Sequence, residues 1–393
     1  MPWKECKTVE QEREEFVKEV LTGKGTMSAL CRKYGISRPT GYKWVSRYIN
    51  GNNLANQSRA PFHTPRRISA EVEDMIVCAR LKEPAIGAVK TKRMLENRGC
   101  TNVPSASTIN AVFKRNGLIT VQASQNATPY KRFEKEEPNE MWQSDFKGDF
   151  ALRNAVRCYP LSIIDDASRK CLCADAKENM QLKSTMESFI STFRKYGLPK
   201  SLLCDNGVPW GSSQSTSITR FETWLMELGI LPIHIRMRHP QCQGKVERFN
   251  GSYKQERLNF YTPLDMADAQ RSRLEYRKFY NSERPHHALG LDVPDSRYKP
   301  SPREYQAKVS SWDYEVGGEI RQIKSSGYIT FESQGYYLSE GLAGKTVCVY
   351  PTDEDGIYDI VFRQFRVARL SLHNRVIMSR RIYLLHDDPR GRS

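Results

Sequence analysis

Asp145, Asp205 and Glu247 are the residues whose types and settings point most directly to chemistry. Asp145 stands inside an alternating run, residues 141–147, where an aspartate has low strand propensity and needs a reason. Asp205 closes a short apolar run, residues 201–204, and sheets covered by helices bind ligands at the carboxyl ends of their strands. Glu247 opens a polar helical stripe with Asn250, Gly251 and Lys254, at i, i+3, i+4 and i+7. Val246, Phe249 and Tyr253 form an apolar stripe turned the other way. Carboxylates on two strands and a crossing helix would hold a hard cation, magnesium or manganese, because no thiolate or imidazole cluster accompanies them. Two such ions ~3.5–4 Å apart activate the attacking oxygen and stabilise the leaving one in phosphodiester chemistry. Lys254 would then meet a substrate phosphate as a point charge. Plainer readings stand beside these: Asp205 in Asp-Asn-Gly suits a turn, and Asp145 suits a charge that guards a strand edge. Asp149, Asp165, Asp166 and Asp175 are rival carboxylates in the same region, and sequence physics alone does not choose among them.

These side chains require a sheet with a helix laid across it. Residues 141–147, 159–164 and 171–176 read as three successive strands. A helix over 178–196, a strand over 201–204, a helix over 218–228 and a strand over 230–236 come next. The helix of Glu247 spans 244–259, entered through His239, Pro240 and Gly244, which are poor helix interior. Strands first and alternation afterwards indicate a mixed sheet covered by helices.

Four motifs occur in order across this region: WQSDFKG at 142–148, CDNGVPW at 204–210, HPQCQGKVERFNG at 239–251 and YNSERPHHALG at 280–290. Together they resemble a bacterial insertion-sequence transposase with a retroviral-integrase-like core, of the DDE superfamily, over most of residues 140–300. The resemblance implies an RNase H-like fold and two magnesium ions per active site, with manganese able to substitute. It implies Asp145, Asp205 and Glu247 as the catalytic, metal-binding triad and Lys254 as the following basic residue. Lys245 and Arg248, basic residues on the same helix, are further candidates for DNA contact. Two departures stand out. The interval from Asp205 to Glu247 is several residues longer than in retroviral integrases, with the extra length assigned to the Ser/Thr-rich loop 211–219. The N-terminal zinc module of those integrases is replaced by helix-turn-helix modules.

Charge points the same way. The 393 residues carry a formal net charge of +16, which calls for a polyanionic partner, DNA first. No apolar run approaches the ~18–20 residues of a membrane span, and the charged N-terminus lacks a signal-peptide core. A cytoplasmic, nucleoid-associated bacterial protein is expected. The ten cysteines contain no Cys-x-x-Cys pair and read as free thiols without metal. Residues 8–50 read as three helices in a helix-turn-helix, with Arg38, Thr40, Lys43 and Arg47 on the last helix for a major groove. Residues 68–118 form a looser second set, with Ser107, Lys114 and Arg115 offered to DNA. The Asn/Pro/Arg-rich stretch between them suits a linker along a phosphate backbone.

The expected organisation is a helix-turn-helix domain at 1–50, a linker at 51–67 and a second helix-turn-helix at 68–118. A connector at 119–138, an RNase H-like catalytic domain at 139–300 and a small β-barrel at 310–380 complete it. The expected function is a DNA transposase that binds the terminal repeats of its element, cleaves them and transfers the 3′-hydroxyl into target DNA, acting as at least a dimer on DNA. Competing readings are a DNA-binding regulator that has lost catalysis and a metal-dependent nuclease without strand transfer.

Overall fold

The computed structural model describes residues 8–56, 68–119, 134–205, 207, 209–211, 217–234, 244–379 and 382–385. The expectations for His239, for most of the loop after Gly211 and for most of the linker and connector fall outside these residues. The chain divides into two compact units, Met1–Arg67 and Ile68–Ser393.

The first unit is built from α1 (Val9–Leu21), α2 (Met27–Lys33) and α3 (Arg38–Ile49). Thr8, Thr26 and Ser37 cap them, each side chain accepting a backbone N–H of its first turn that no helical carbonyl can reach. Phe16, Val17, Leu30, Cys31, Trp44 and Leu54 make the core. The Arg13 guanidinium lies 3.9 Å from the Trp44 ring and donates to the Leu54 carbonyl at 2.6 Å, closing the unit over α3.

The second unit opens with α4 (Ala70–Lys82), α5 (Ala88–Asn97) and α6 (Ala106–Arg115) around Ile76, Leu95, Ile109, Val112 and Phe113. This helical set is fastened to the helices around Glu247. Ile86 and Met94 pack with Val246, Phe249 and Tyr276. Arg98 meets Glu283 at 2.7 Å and Arg257 meets Glu83 at 2.8 Å.

The central sheet contains β1 (Met141–Phe146), β2 (Phe150–Ala151), β3 (Arg157–Asp165), β4 (Cys171–Lys177), β5 (Ser201–Cys204) and β6 (Leu231–His234). Its order is β2-β3-β1-β5-β6, with β4 also on β3. β3 is antiparallel to β1 and β4, whereas β5 runs parallel to β1 and β6. This is the mixed sheet of an RNase H-like core. Strand alternation sorts its two faces. Trp142, Leu161, Ile163 and Leu202 meet α7 (Leu182–Tyr196) and α8 (Arg220–Glu227) through Phe189, Phe193 and Phe221. Ile164, Cys171 and Ala174 meet α9 (Gly244–Tyr253) and α10 (Met266–Ser282) through Val246, Phe249, Tyr253, Tyr276 and Tyr280.

The remaining strands are β7 (Glu319–Gln322), β8 (Tyr328–Phe331), β9 (Gln334–Tyr337), β10 (Thr346–Pro351), β11 (Ile357–Phe362), β12 (Phe365–Ser371), β13 (Val376–Ser379) and β14 (Tyr383–Leu384). They form a six-stranded sheet, β13-β12-β11-β10-β7 with β14 on β12, plus the β8-β9 hairpin. Ile329, Phe331 and Tyr336 of the hairpin pack with Val347, Ile360 and Val367 of the sheet, and with Ile218 and Met226 at α8. Among the described residues the pairing leaves β7 and β13 as sheet edges, so hydrogen bonds do not close the expected ring.

Candidate active site

The register of the central sheet assembles the site. Asp145 lies opposite Ser162, and Gln143 opposite Ile164, so all four project from the α9 face. On the other side Gln143 is level with Leu203, and running that parallel register on by two residues brings Asp205 beside Asp145 on the same face. Helix α9 lies along this face. Gln143 receives the backbone N–H groups of Lys245 and Val246 at 3.3 Å each, satisfying donors in its first turn. One strand thus fixes the start of the helix that carries Glu247.

A polarised chain of hydrogen bonds reaches Asp145 from below. Arg273, 1% exposed on α10, donates to the Ser162 hydroxyl at 2.8 Å. Ser162 donates to Asn250 Oδ1 at 2.7 Å, and Asn250 Nδ2 donates to Asp145 Oδ2 at 3.1 Å. Every donor points toward the carboxylate. Arg273 Nε and Nη1 have no hydrogen-bond partner among the described residues, and its charge is instead flanked by the Tyr253 ring, 5.0 Å away. Asn250 is 4% exposed. Its expected place on the open polar stripe is therefore corrected: the amide belongs to the buried face, while Glu247, Gly251 and Lys254 stay exposed.

Electrostatics single out Asp145. Burial first, then the charges of Asp205 and Glu247, push its carboxyl up to about 7, against the favourable bond from Asn250. Its neighbour on the strand face, Lys147, is pushed down by burial and then by Lys254 and Arg273. Lys147 and Lys254 therefore share one field, and Lys147 is a residue that the motif residues singled out above do not include, despite its place two beyond Asp145. Asp205 receives the Gly207 N–H at 3.0 Å, the turn bond expected of Asp-Asn-Gly. Its carbonyl meets His234 Nδ1 at 3.0 Å, and His234 Nε2 meets Glu222 at 2.9 Å. Burial lowers the His234 pKa, but Glu222 and Asp205 together outweigh it and the net shift is upward.

The rival carboxylates are engaged elsewhere. Asp165 accepts from Asn139 N at 2.7 Å and from Ser168 N at 2.8 Å. Asp166 takes Gln143 Nε2 at 2.6 Å and the Lys245 ammonium at 2.8 Å. Asp149 pairs with Arg157, and Asp175 with the Ser188 hydroxyl. Lys245, expected at DNA, thus holds a fully buried aspartate with a side chain only 12% exposed. Asp145, Asp205 and Glu247 make no ion pair among the described residues. In this arrangement no three His, Cys, Asp or Glu side chains among the described residues converge tightly enough to hold a metal.

The other candidates are spread over both units. Arg38 and Lys43 are exposed on α3, and Arg47 stacks 5.1 Å from Trp44. Thr40 is half-buried and bonded to Ser37 at 2.8 Å. Ser107 and Lys114 are exposed on α6, whereas Arg115 is held by Glu73. Arg248 is exposed beside Glu247. Lys254 begins a π-helical turn, Lys254–Leu258, whose Glu256 is clamped by Arg284 at 2.6 Å and by the Tyr276 hydroxyl at 3.0 Å. Arg284 of the fourth motif therefore anchors the turn that presents Lys254.

Residues 135–240 match a family model described as an integrase core domain, and residues 228–294 match a second of the same description. Residues 135–294 thus match an integrase core. Residues 12–62 match a helix-turn-helix domain ahead of this integrase core. A 39.2 kDa uncharacterized protein of insertion element IS476 from Xanthomonas euvesicatoria is 28% identical over 43% of this chain and 47% of its own length. A 31.7 kDa uncharacterized protein of insertion element IS407 from Burkholderia multivorans is 27% identical over 46% of this chain and 60% of its own length. The match thus spans about half the length of these curated relatives. The resemblance to insertion-element proteins read from the four motifs is borne out. Among solved structures, the magnesium complex of the HTLV-2 integrase catalytic core is similar at 19% identity and TM-score 0.33, covering 42% of this chain and 98% of that one. A simian T-cell lymphotropic virus intasome with a PP2A regulatory subunit is similar at 16% identity and TM-score 0.36, covering 66% and 90%.

Proposed function

We propose that this protein is the transposase of an insertion sequence, binding the terminal repeats of its element, cleaving them and joining the 3′-hydroxyl to target DNA. The observation that carries the reading is the carboxylate face: Asp145, Asp205 and Glu247 neighbour one another within an integrase core, and no cation of the chain pairs with them among the described residues. Such a set suits a divalent ion, because hard oxygen donors repel one another until a cation enters. Asp145, Asp205 and Glu247 would hold magnesium, two ions per site. Bound magnesium supplies charge stabilisation to the attacking and leaving oxygens of an in-line displacement at phosphorus.

The chain's own residues do the rest. Asn250 holds Asp145 by one oxygen and leaves the other free to ligate. Gln143 holds the first turn of α9, which sets Glu247 against the strand. His234 fixes the carbonyl of Asp205 and so the end of β5. Lys147 and Lys254 meet phosphates that flank the scissile one, with Arg248 beside them. Arg38, Lys43 and Arg47 on α3, and Ser107 and Lys114 on α6, contact the element end.

The domain boundaries expected from the sequence, a barrel-like role for the C-terminal sheet and hairpin, and a bacterial cytoplasmic setting belong to the same proposal. So does a dimer or larger assembly on DNA, since two ends must be joined and each needs an active site. Retention of the three acids and Lys254 speaks against a lapsed regulator. The two helical sets favour defined end recognition over a general nuclease. The test is magnesium-dependent nicking of a labelled duplex carrying the terminal sequence that flanks the gene. Asp205→Asn should bind this DNA as the wild type does and leave it uncut. Undiminished nicking by Asp205→Asn would remove the assignment.

A further inference from the structure

A cleft of roughly 500 Å3 opens where α5 and α6 meet the segment that follows α10, lined by Gly87, Lys90, Ser107, Asn110 and His287. Its walls come from two parts of the second unit that are far apart in sequence. Lys90 is half-buried, and its ammonium makes no hydrogen bond or ion pair among the described residues. Burial, then the charge of Arg284, bring it down to about 8, with Glu256 opposing and Arg248 adding to the effect. His287 is lowered by burial, then by Lys90, Arg284 and Arg248. The nearby acids do not relieve this excess of positive charge, because Glu256 is clamped by Arg284 and Glu83 by Arg257. Neutral donors complete the lining: the Ser107 hydroxyl and the Asn110 amide are both exposed at the start of α6. The mouth is open at Gly87, where an added Cβ would meet nothing within 4 Å. Positive charge with several neutral donors, in a cleft that stays open to one side, suits a singly charged tetrahedral group on a long chain.

We propose that this cleft holds one backbone phosphate of the DNA bound at the active site, so that the second helical set and the integrase core grip one continuous stretch of duplex. The inference rests on the transposase reading and deepens it. Arg248 links the two places, neighbouring Glu247 in sequence and contributing to the field at Lys90 and His287. The polar start of α6 is then not an independent reading head. A duplex that touches Ser107 also lies against Lys90 and His287, which fixes the distance between the bases read and the phosphate cut.

The experiment uses the full chain and a labelled duplex, with affinity followed across a potassium chloride series. Each phosphate contact contributes about 0.9 to the slope of log affinity against log salt. Lys90→Gln is expected to flatten the slope by about that amount. Lys90→Arg should retain the wild-type slope, and Ser107→Glu, which sets a carboxylate at the exposed rim, should weaken binding several-fold. Thermal melts report whether each variant is folded; if Lys90→Gln is not, the Lys90→Arg and Ser107→Glu pair decides. A folded Lys90→Gln with wild-type slope and affinity overturns the cleft while leaving the transposase reading intact. Inorganic phosphate that raises the melting point of the wild type but not of Lys90→Gln, together with an unchanged DNA slope in that variant, also overturns it, by assigning the cleft to a free anion. Failure of the wild type to bind any duplex would instead remove the functional reading beneath it.

Discussion

Ser162→Ala tests whether the chain from Arg273 to Asp145 positions the carboxylate or merely fills the interior. Ser162 is fully buried, accepts from Arg273 at 2.8 Å and donates to Asn250 at 2.7 Å. Alanine removes both bonds, the neutral one worth about 0.5–1.5 kcal/mol and the one from a charged donor about 1.5–3 kcal/mol. The expected loss is roughly 2–4.5 kcal/mol, which a domain of ordinary stability survives. Asn250 then lacks the partner that orients its amide, and Asp145 loses the bond that favours its ionised form. Outer partners of metal ligands commonly govern affinity by about 10–100-fold. Urea denaturation in EDTA measures the first effect, and manganese titration followed by electron paramagnetic resonance measures the second. Both losses are expected together. A variant that loses stability but binds manganese as tightly as the wild type would reduce the chain to simple packing.

Two further perturbations probe the frame around the site. Gly341→Ala puts a Cβ against the carbonyl oxygen of Ile218 and 2.6 Å from the Thr219 carbonyl carbon, both unyielding backbone where the C-terminal region meets α8. It should cost at least about 1–3 kcal/mol in urea denaturation, and full wild-type stability would contradict that docking. His286 is held neutral, lowered to about 3 by burial and then by Arg284. Its unfolded pKa is ~6.5, so the unfolded chain takes up the proton first and stability falls as pH drops below that value, by about 1.4 kcal/mol per pH unit. His286→Gln keeps a donor for the Tyr280 carbonyl but does not titrate, and should flatten the stability profile between pH 6.5 and 4. Parallel profiles for variant and wild type would show that His286 is not buried neutral.

Local signals were the legible part of the sequence. Thr8, Ser37 and Ser69 stand where a cap is expected and do cap α1, α3 and α4, because a cap depends on residues a few places away. Strand 201–204 matches its prediction, and the buried stripe Val246, Phe249 and Tyr253 follows from helical period alone. Boundaries set by tertiary contact were less visible. The helix expected from residue 178 begins at Leu182, and the one expected to run to 259 becomes π-helical at Lys254, where Arg284 clamps Glu256. Asn250 falls between the two stripes by spacing, and only the approach of Ser162 and Asp145 assigns it to the interior. Lys245 looked like a DNA contact because nothing nearby in sequence announces Asp166 as its partner. The choice among the aspartates has the same character: register and partners, not type, separate Asp145 and Asp205 from Asp165 and Asp166.

The central claim is that Glu247 completes a metal site with Asp145 and Asp205 that serves both cleavage and joining. The most direct measurement follows a labelled duplex bearing the terminal sequence that flanks the gene, in magnesium, with wild type and Glu247→Gln side by side. Equal binding of the end by both proteins is expected, with release of a 3′-hydroxyl and its joining to target DNA only by the wild type. Strand transfer retained by Glu247→Gln would contradict it.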